Sequence, residues 1–305
     1  MVAGAGTAQA ACPDLIKTFD KAVAERKVDA AISGLDDLHD NLCLAGSRFA
    51  DYRAKLVDFL IDYASTPGLE KTAHDNAIDR AGKIVAVSGY WQGKSKLADY
   101  YFAHGDKPMA HHWYVESVAA LATPGATATD DERKKLAGKL AAAQSLANDD
   151  QGGQRRISNP VHNRDASGHL SGLFSPALVH TRTAEVVAVP MPINFVYNQI
   201  TFTPAGEDAM KELIEAAKQV PTMKLVGHAD PQGAADYNMN LSRNRVMAVR
   251  DRLVQAGVKA QITVQWKGAS EPFDVSVLPE GDKLSQEEVY QLDRRVVWLR
   301  DAERD

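Results

Sequence analysis

The sequence predicts a chain of two different parts, an all-α N-terminal half followed by an α+β C-terminal domain. Apolar residues recur at helical spacing over much of the first half, whereas short strand-like runs and helical runs alternate after residue 190. The stretch between them is rich in Gly, Asn, Ser, Asp and Arg, which is typical of an irregular connection. We therefore expect an end segment at 1–11, a helical domain at 12–150, a linker at 151–187 and a second domain at 188–305.

The first residues of the chain are small and apolar. Ala8-Gln9-Ala10 fits the A-x-A pattern of signal-peptidase cleavage, which favours the remnant of an export signal over a flexible chain end. Cys12 follows Gln9-Ala10-Ala11, whereas a lipoprotein signal has an aliphatic residue three positions before the cysteine. A lipid anchor at Cys12 is therefore the less favoured alternative.

The two cysteines of the chain, Cys12 and Cys43, flank a predicted helical hairpin. Helices over about 13–26 and 29–42 would run antiparallel and bring both cysteines to the open end of the hairpin. This spacing favours a disulfide, and an even cysteine count fits an oxidising compartment. Two buried thiols are the alternative.

Further helices are predicted up to residue 147, with Gly and Pro between them, at Tyr52–Leu60, Leu69–Val87, Lys96–His104, Lys107–Ala122 and Asp130–Ala147. Residues 98–121 resemble a tetratricopeptide or Sel1-type helical pair, and domains of that kind bind protein segments along a concave face. A plain helical bundle with a core of aromatic side chains explains the same pattern. His111 and His112 are adjacent and diverge by about 100° on a helix, so we expect no metal site here.

The C-terminal domain alternates predicted strands and helices. Ile193, Phe195 and Tyr197 alternate as in a strand, and Thr203-Pro204 has the cap and first-turn proline of a helix start. The other predicted elements are strands at Glu185–Val189, Lys224–Val226, Gln261–Trp266 and Arg294–Leu299, a helix at Ser242–Ala256 and a helical turn at Ser285–Leu292. From residue 193 the order strand-helix-strand-helix-strand-strand predicts one mixed sheet with helices on one face.

The loop after the second of these strands carries the chemistry. Gly227-His228-Ala229-Asp230 ends the strand, and Arg245 follows in what the pattern predicts as the first turn of the next helix. An acid and an arginine placed in this way can pair with each other or hold a small ligand that carries both charges. Because an arginine in a first helical turn opposes the helix dipole, the pattern favours an anionic partner.

Six motifs follow one another through residues 193–299. They are Phe195-x-Tyr197, Thr203-Pro204-x-Gly206, Gly227-His228-Ala229-Asp230-x-x-Gly233, Tyr237-Asn238-x-x-Leu241-Ser242-x-x-Arg245, Gly268-x-Ser270-x-Pro272 and Asp293-Arg294-Arg295-Val296. In this order they resemble the OmpA-like C-terminal domain, the peptidoglycan-associated module of the bacterial envelope. The sequence departs from that family at Ala229, where Thr is usual, and at Asp293, where Asn is usual; both changes could alter affinity.

The resemblance implies that the loop binds the diaminopimelate residue of the peptidoglycan stem peptide. Asp230 would accept hydrogen bonds from the ligand ammonium, and Arg245 would donate a fork of hydrogen bonds to its carboxylate. A structural ion pair between the two residues is the alternative.

Four more residues belong to the predicted ligand site. Asn238 would hydrogen-bond the ligand or cap the loop, and Ser242 lies among the helix-start amides expected to face the ligand. Tyr197 and Leu241 would form an apolar wall under the methylene chain of the ligand. Arg294 and Arg295 alternate along the last predicted strand, so only one of these neighbours can face the site.

Composition and motifs narrow the class of protein. A formal net charge of -5 and a pI near 6.0 predict no basic surface for nucleic acid. The sequence also lacks a run of about 18 apolar residues, so it predicts no transmembrane helix. Neither H-E-x-x-H nor G-x-S-x-G, two motifs of hydrolytic enzymes, occurs.

Together with these observations, the resemblance implies a non-catalytic protein, without cofactor or metal, in the periplasm or cell envelope of a Gram-negative bacterium, in association with the outer membrane. It would bind peptidoglycan and use its helical half to recruit a protein partner. An OmpA-like interaction scaffold of an envelope machine, without wall binding, is the main alternative, and a wall-active enzyme is a weaker one.

Overall fold

The computed structural model of the chain describes residues 5–44, 46–123, 125–147, 192–279 and 284–299, with side chains from Cys12 onward. Residue contacts divide the chain into two compact units, Met1–Tyr100 and Tyr101–Asp305. The predicted linker and the predicted strand at Glu185–Val189 lie outside the described residues. The predicted boundaries at 150 and 188 therefore stay predictions, and the contact-based boundary lies upstream of both.

The first unit consists of helices. They are α1 (Ala5–Ala24), α2 (Val28–Asp40), α3 (Ser47–Ala64), α4 (Lys71–Ala86) and most of α5 (Trp91–Ala103). Helices that follow one another in the chain pack together, α1 on α2, α2 on α3 and α3 on α4. Phe19, Leu38, Leu56 and Leu60 are fully or almost fully buried, at the helical spacing by which these helices were predicted.

A disulfide joins Cys12 in α1 to Cys43, three residues beyond the end of α2. The two Cα atoms are 5.2 Å apart, which is ordinary for a disulfide. The bridge therefore closes the open end of the α1–α2 hairpin.

The second unit begins with two further helices, α6 (Lys107–Leu121) and α7 (Asp130–Leu146). The Asp106 side chain accepts a hydrogen bond from the Met109 amide and so caps α6. Thr129 and Glu132 form a reciprocal capping box at the start of α7. The charges of α7 are concentrated in its first half, and the second half is buried from Leu140 through Leu146.

The rest of the second unit is a four-stranded mixed sheet with helices. Its elements are β1 (Ile193–Asn194), α8 (Pro204–Ala217), β2 (Thr222–Gly227), α9 (Ala235–Gln255), β3 (Gln261–Trp266), a 3₁₀ turn (Val275–Val277), α10 (Gln286–Asp293) and β4 (Arg295–Leu299). The strand order is β1-β4-β2-β3; β2 and β3 are parallel, and β4 is antiparallel to both β1 and β2. The predicted fold class, helices followed by an α+β domain with a mixed sheet, is confirmed.

The core of this sheet lies under α8 and α9. Met223 and Leu225 of β2 and Val296 and Trp298 of β4 alternate toward these helices, as the strand period of two requires. The helices contribute buried residues at helical spacing, which are Ala209, Met210, Leu213, Ala216 and Ala217 from α8 and Val246, Val249 and Leu253 from α9. The packing holds the start of α9 beside the carboxyl ends of β2 and β3.

The helix after the ligand loop begins earlier than predicted. It starts at Ala235 rather than near Ser242, so the predicted start was wrong by seven residues. Gly233, with φ of +99°, completes the turn, and no Gly or Pro follows before Gly257 to stop a helix. Arg245 therefore lies ten residues into the helix rather than in its first turn, and the amides near Ser242 are inside the helix.

The first strand is shorter than the alternation of Ile193, Phe195 and Tyr197 predicted. Regular pairing ends at Asn194, and Phe195 makes only an isolated bridge to Phe202. The Val196 amide then donates to the Thr201 carbonyl at 2.9 Å, which closes a turn over residues 197–200. This turn lies over the guanidinium of Arg245.

Candidate ligand-binding site

The loop that carries Asp230 continues from β2 past the end of the neighbouring strand. The His228 amide donates to the Arg295 carbonyl, and the Ala229 amide donates to the Gly268 carbonyl, each at 2.8 Å. Asp230 is therefore fixed where the parallel strands β2 and β3 both end. Ligands of open sheets with helices commonly bind outside the carboxyl ends of such strands.

The Asp230 side chain is buried, with 5% of the residue exposed. Its Oδ1 accepts a hydrogen bond from the Gln232 amide at 3.0 Å, and its Oδ2 accepts one from Arg294 Nη1 at 3.1 Å. Asn238 Nδ2 donates to the Asp230 backbone carbonyl at 3.0 Å. A carboxylate offers about four acceptor positions, so this one keeps capacity for a further donor.

Arg245 is fully buried and is held by backbone carbonyls. Its Nε donates to the Gln199 carbonyl at 3.1 Å, and Nη1 and Nη2 donate to the His228 and Val196 carbonyls at 3.3 Å each. The guanidinium lies 5.2 Å from the centre of the Phe195 ring. Burial lowers the pKa of Arg245 to about 10, against the opposing attraction of Asp230, so the group stays charged at neutral pH. A guanidinium has five N–H donors, so two are not used by these carbonyls.

Arg294 is the second arginine of the site, and Arg295 faces elsewhere. Arg294 caps the C-terminus of α10, is 4% exposed, and shares its guanidinium between Asp230 and Glu287 Oε1, the latter at 2.5 Å from Nη2. Arg295 instead lies over Phe273 and is 3.8 Å from Asp293 Oδ1. Alternation along the strand did not show which of the two arginines faces the site, and in the structure it is Arg294.

Asp293 is at one of the two positions where the sequence departs from the OmpA-like motifs, which usually have Asn here. It is buried, and its Oδ1 accepts a hydrogen bond from the Phe273 amide at 2.7 Å. Burial raises the pKa of Asp293, while the Phe273 amide and Arg295 oppose that rise. Asp293 therefore anchors the loop before α10, and its nearest cation is Arg295.

Ser242 is buried and serves the chain fold at this edge of the sheet. Its Oγ donates to the Met239 carbonyl and accepts from the Gly268 amide, each at 2.9 Å. A side chain at Gly227 would bring its Cβ within 2.3 Å of the Ser242 carbonyl, so α9 crosses the end of β2 at a distance that only glycine permits. Leu241 beside it is half-buried.

Two tyrosines lie at the surface of the site. Tyr197 is 53% exposed, and its ring centre is 5.7 Å from the guanidinium carbon of Arg294. Tyr237 is 49% exposed, and its hydroxyl donates to Asn198 Oδ1 in the turn after β1. Aromatic side chains therefore stand next to the buried charges.

The structure brings Asp230, Asn238 and Arg245 together in one buried cluster, with Ser242 beneath it and Tyr197 at its surface. Sequence reasoning missed that Arg294 pairs with Asp230, and it missed the carbonyls that hold Arg245. The adjacent arginines of the last motif were a signal for the pair of Arg294 with Asp230. No local sequence pattern indicates the carbonyls that hold Arg245.

Comparison with known proteins identifies the domain that contains this cluster. Residues 194–285 match the OmpA family, so this part of the chain is an OmpA family domain. Outer membrane protein A of Buchnera aphidicola subsp. Schizaphis graminum is 27% identical over 105 residues, covering 33% of this chain and 30% of that protein. Outer membrane protein 40 of Porphyromonas gingivalis is 38% identical over 84 residues, covering 26% of this chain and 22% of that protein. The match thus spans less than a third of either relative.

Two solved structures are also similar to part of this chain. The peptidoglycan-associated lipoprotein from Burkholderia pseudomallei is 21% identical, with 35% of this chain and 89% of that chain covered and a TM-score of 0.30. The OmpA-like domain of FopA1 from Francisella tularensis subsp. tularensis SCHU S4 is 20% identical, with 35% and 68% covered and a TM-score of 0.27.

Two further observations concern the parts of the chain that the structure describes. No group of three or more His, Cys, Asp or Glu side chains there is arranged to hold a metal ion. None of the helices in those parts combines the length and the apolar character that a membrane span needs.

Proposed function

We propose that the OmpA family domain binds peptidoglycan through the diaminopimelate residue of the stem peptide, without catalysis. The observation that carries this proposal is the buried charge of Arg245, whose hydrogen bonds in the described part of the chain end on neutral carbonyls, beside the buried Asp230, whose charge is met by Arg294. Buried charges are costly unless they are compensated. A ligand carboxylate would compensate Arg245, and the open acceptor positions of Asp230 would receive an ammonium on the same ligand end.

Each charged group would have one partner on the ligand. Asp230 would accept from the ammonium with the acceptor positions that Gln232 and Arg294 leave open. Arg245 would give the ligand carboxylate its two remaining N–H groups, once the turn over residues 197–200 admits the ligand. Asn238 and Ser242 would keep the loop and helix in place, and Tyr197 and Leu241 would line the methylene chain.

The location we propose is the periplasm or cell envelope of a Gram-negative bacterium, with a protein partner recruited by the helical first half of the chain. The curated relatives are named as outer membrane proteins, which supports the envelope. The Cys12–Cys43 disulfide supports an oxidising compartment.

A sedimentation assay with purified peptidoglycan sacculi tests wall binding. We expect the full chain to sediment with sacculi and Asp230→Asn to stay in solution, because the amide cannot neutralise an ammonium. Asp236→Asn is the matched control, since Asp236 is an exposed acid six residues further along. Equal retention of the wild type and Asp230→Asn would contradict the proposed site, and release of soluble wall fragments would support an enzyme instead.

Calorimetry with soluble muropeptides tests the ligand. A stem peptide with lysine in place of diaminopimelate lacks the second carboxylate, and we expect it to bind about 10- to 100-fold more weakly, the value of one charge-assisted hydrogen bond. Arg245→Lys should reduce this preference, whereas Arg243→Lys, on the exposed side of the same helix, should keep it. Equal affinity of the wild type for both peptides would exclude diaminopimelate as the recognised residue.

One observation favours a second candidate function. Asp230 and Arg245 both have internal partners already, Arg294 for the acid and three carbonyls for the arginine. Such a cluster could serve the fold alone, in an OmpA-like scaffold that binds other envelope proteins. The sacculus assay separates the two functions, since a scaffold would not sediment with the wall.

A further inference from the structure

A closed group of hydrogen bonds joins α7 to the sheet domain within the second unit. Ser145, in the last turn of α7, shares its hydroxyl hydrogen between the Ala141 carbonyl and Asn194 Oδ1, at 2.8 and 2.9 Å. Asn194 Nδ2 donates to the Gln291 carbonyl at 3.3 Å, and Gln291 Nε2 donates to the Ser145 carbonyl at 2.8 Å. Ser145, Asn194 and Gln291 are at most 4% exposed. We call these three residues the Ser145 network.

Two series of contacts connect the Ser145 network to the charged cluster formed by Asp230, Arg245 and Arg294. Gln291 lies on α10 three residues before Arg294, whose Nη1 contacts Asp230 Oδ2. Asn194 ends β1, directly before Phe195 and the Val196 carbonyl that accepts from Arg245. The end of α7 therefore holds both the helix that precedes Arg294 and the strand that leads into the turn over residues 197–200, which lies over Arg245.

α7 also packs directly against α10, one of the elements that the network joins. In the second unit α7 contacts α6, α10, the 3₁₀ turn and α8, and its buried residues are Leu136, Ala137 and Leu140 through Leu146. Buried side-chain hydrogen bonds of this kind fix one arrangement of the elements that they join, because an unpaired buried polar group is costly.

We propose that Ser145, Asn194 and Gln291 are positioning residues of the peptidoglycan site, so that α7 is a working part of the wall-binding domain. This inference rests on the proposed function. α7 holds α10 at the position from which Arg294 reaches Asp230, and Arg294 orients the carboxylate for the ligand ammonium. The wall-binding domain thus extends upstream of the OmpA family match, to the start of α7 at Asp130.

The test uses the full chain with Gln291→Met, which keeps the length of the side chain and removes the hydrogen bond to Ser145. Affinity for the diaminopimelate muropeptide is measured by calorimetry at a temperature at which circular dichroism shows every variant folded. We expect Gln291→Met to weaken binding about three- to tenfold, the value of one buried hydrogen bond. In an Arg294→Gln background the same substitution should change affinity by less than about twofold, because its route to the ligand is gone.

Gly138→Ala is the matched control. A Cβ at Gly138 would lie 2.6 Å from Val277 Cγ2, so the change disturbs the packing of α7 on the 3₁₀ turn and leaves the Ser145 network intact. We expect this variant to lose thermal stability and keep its affinity. Unchanged affinity of Gln291→Met, or an equal loss in both backgrounds, would overturn the inference while peptidoglycan binding stands. Absence of binding by the wild type would overturn the proposed function, and the inference with it.

Discussion

Among single residues, Asp230 and Arg245 differ in how their charges are met. Asp230 has a cation in hydrogen-bonding contact, whereas every hydrogen bond that holds Arg245 ends on a neutral carbonyl. The ion pair of the two residues with each other, which the sequence left open, is replaced in the described part of the chain by the pair of Asp230 with Arg294. Arg245 is therefore the group with more to gain from an arriving carboxylate.

Glu212 in α8 is a half-buried acid outside this site, and it leads to a prediction about stability and pH. Burial, assisted by Asp208, raises its pKa from 4.5 to about 7. The folded state thus keeps a proton that the unfolded state loses as pH rises from 4.5 to 7, so the contribution of this proton to stability is full below pH 4.5 and lost above pH 7. We expect Glu212→Gln to raise the free energy of unfolding at pH 8 by on the order of 2 kcal/mol, and to leave it unchanged at pH 4.

Chemical denaturation at both pH values measures the effect of Glu212→Gln. Glu215→Gln, at an exposed residue of the same helix that pairs with Lys218, is the control and should change stability little. A gain from Glu212→Gln that is the same at pH 4 and pH 8 would show that the Glu212 carboxyl is not the titrating group.

Among the elements, the local sequence predicts where a helix begins, but it does not predict which elements pack against that helix. Thr203 caps α8, and Thr129 with Glu132 caps α7, as the side chains at these positions favour. Yet the second half of α7 is buried from Leu140 through Leu146, and the helix packs against α6, α10, α8 and the 3₁₀ turn. The charge pattern of a helix therefore shows which residues face water, but not which element covers the others.

The α1–α2 hairpin gives a prediction at this scale. The disulfide closes a loop with a sequence separation of 31 residues, and a bridge over such a loop stabilises by about 3–4 kcal/mol in the chain-entropy account. We expect Cys12→Ser with Cys43→Ser to lower the free energy of unfolding of the first unit by about this amount, measured by denaturation of the full chain. Ligand affinity of the second unit is the control and should not change. A double variant as stable as the wild type would show that the packing of α1 on α2 suffices without the bridge.

In the whole molecule, the disulfide and the OmpA family domain support the same compartment by independent routes. If the chain resides in the periplasm, its cysteines should be oxidised in living cells. We expect a maleimide reagent of high mass, added to cells lysed in acid, to label neither Cys12 nor Cys43 before reduction and both after it. Labelling before reduction would contradict the proposed location. The same chain expressed without an export signal provides the reduced control.

The sequence by itself determined the fold class of helices followed by a mixed sheet with helices, nearly every helix of the first unit and the bounds of β3. These features depend on residues close together in the chain, through periodicity, caps and turn residues. It also singled out Asp230 and Arg245, because the ordered motifs around them resemble one family.

Only the tertiary structure decided which arginine meets Asp230, what covers Arg245 and where α7 packs. Arg294 and Asp230 are 64 residues apart in the chain, and Ser145 and Gln291 are 146 apart. Contacts over such separations depend on how the sheet and the helices pack, and no local sequence pattern predicts them. The close crossing of α9 over the end of β2, which Gly227 permits, belongs to the same class.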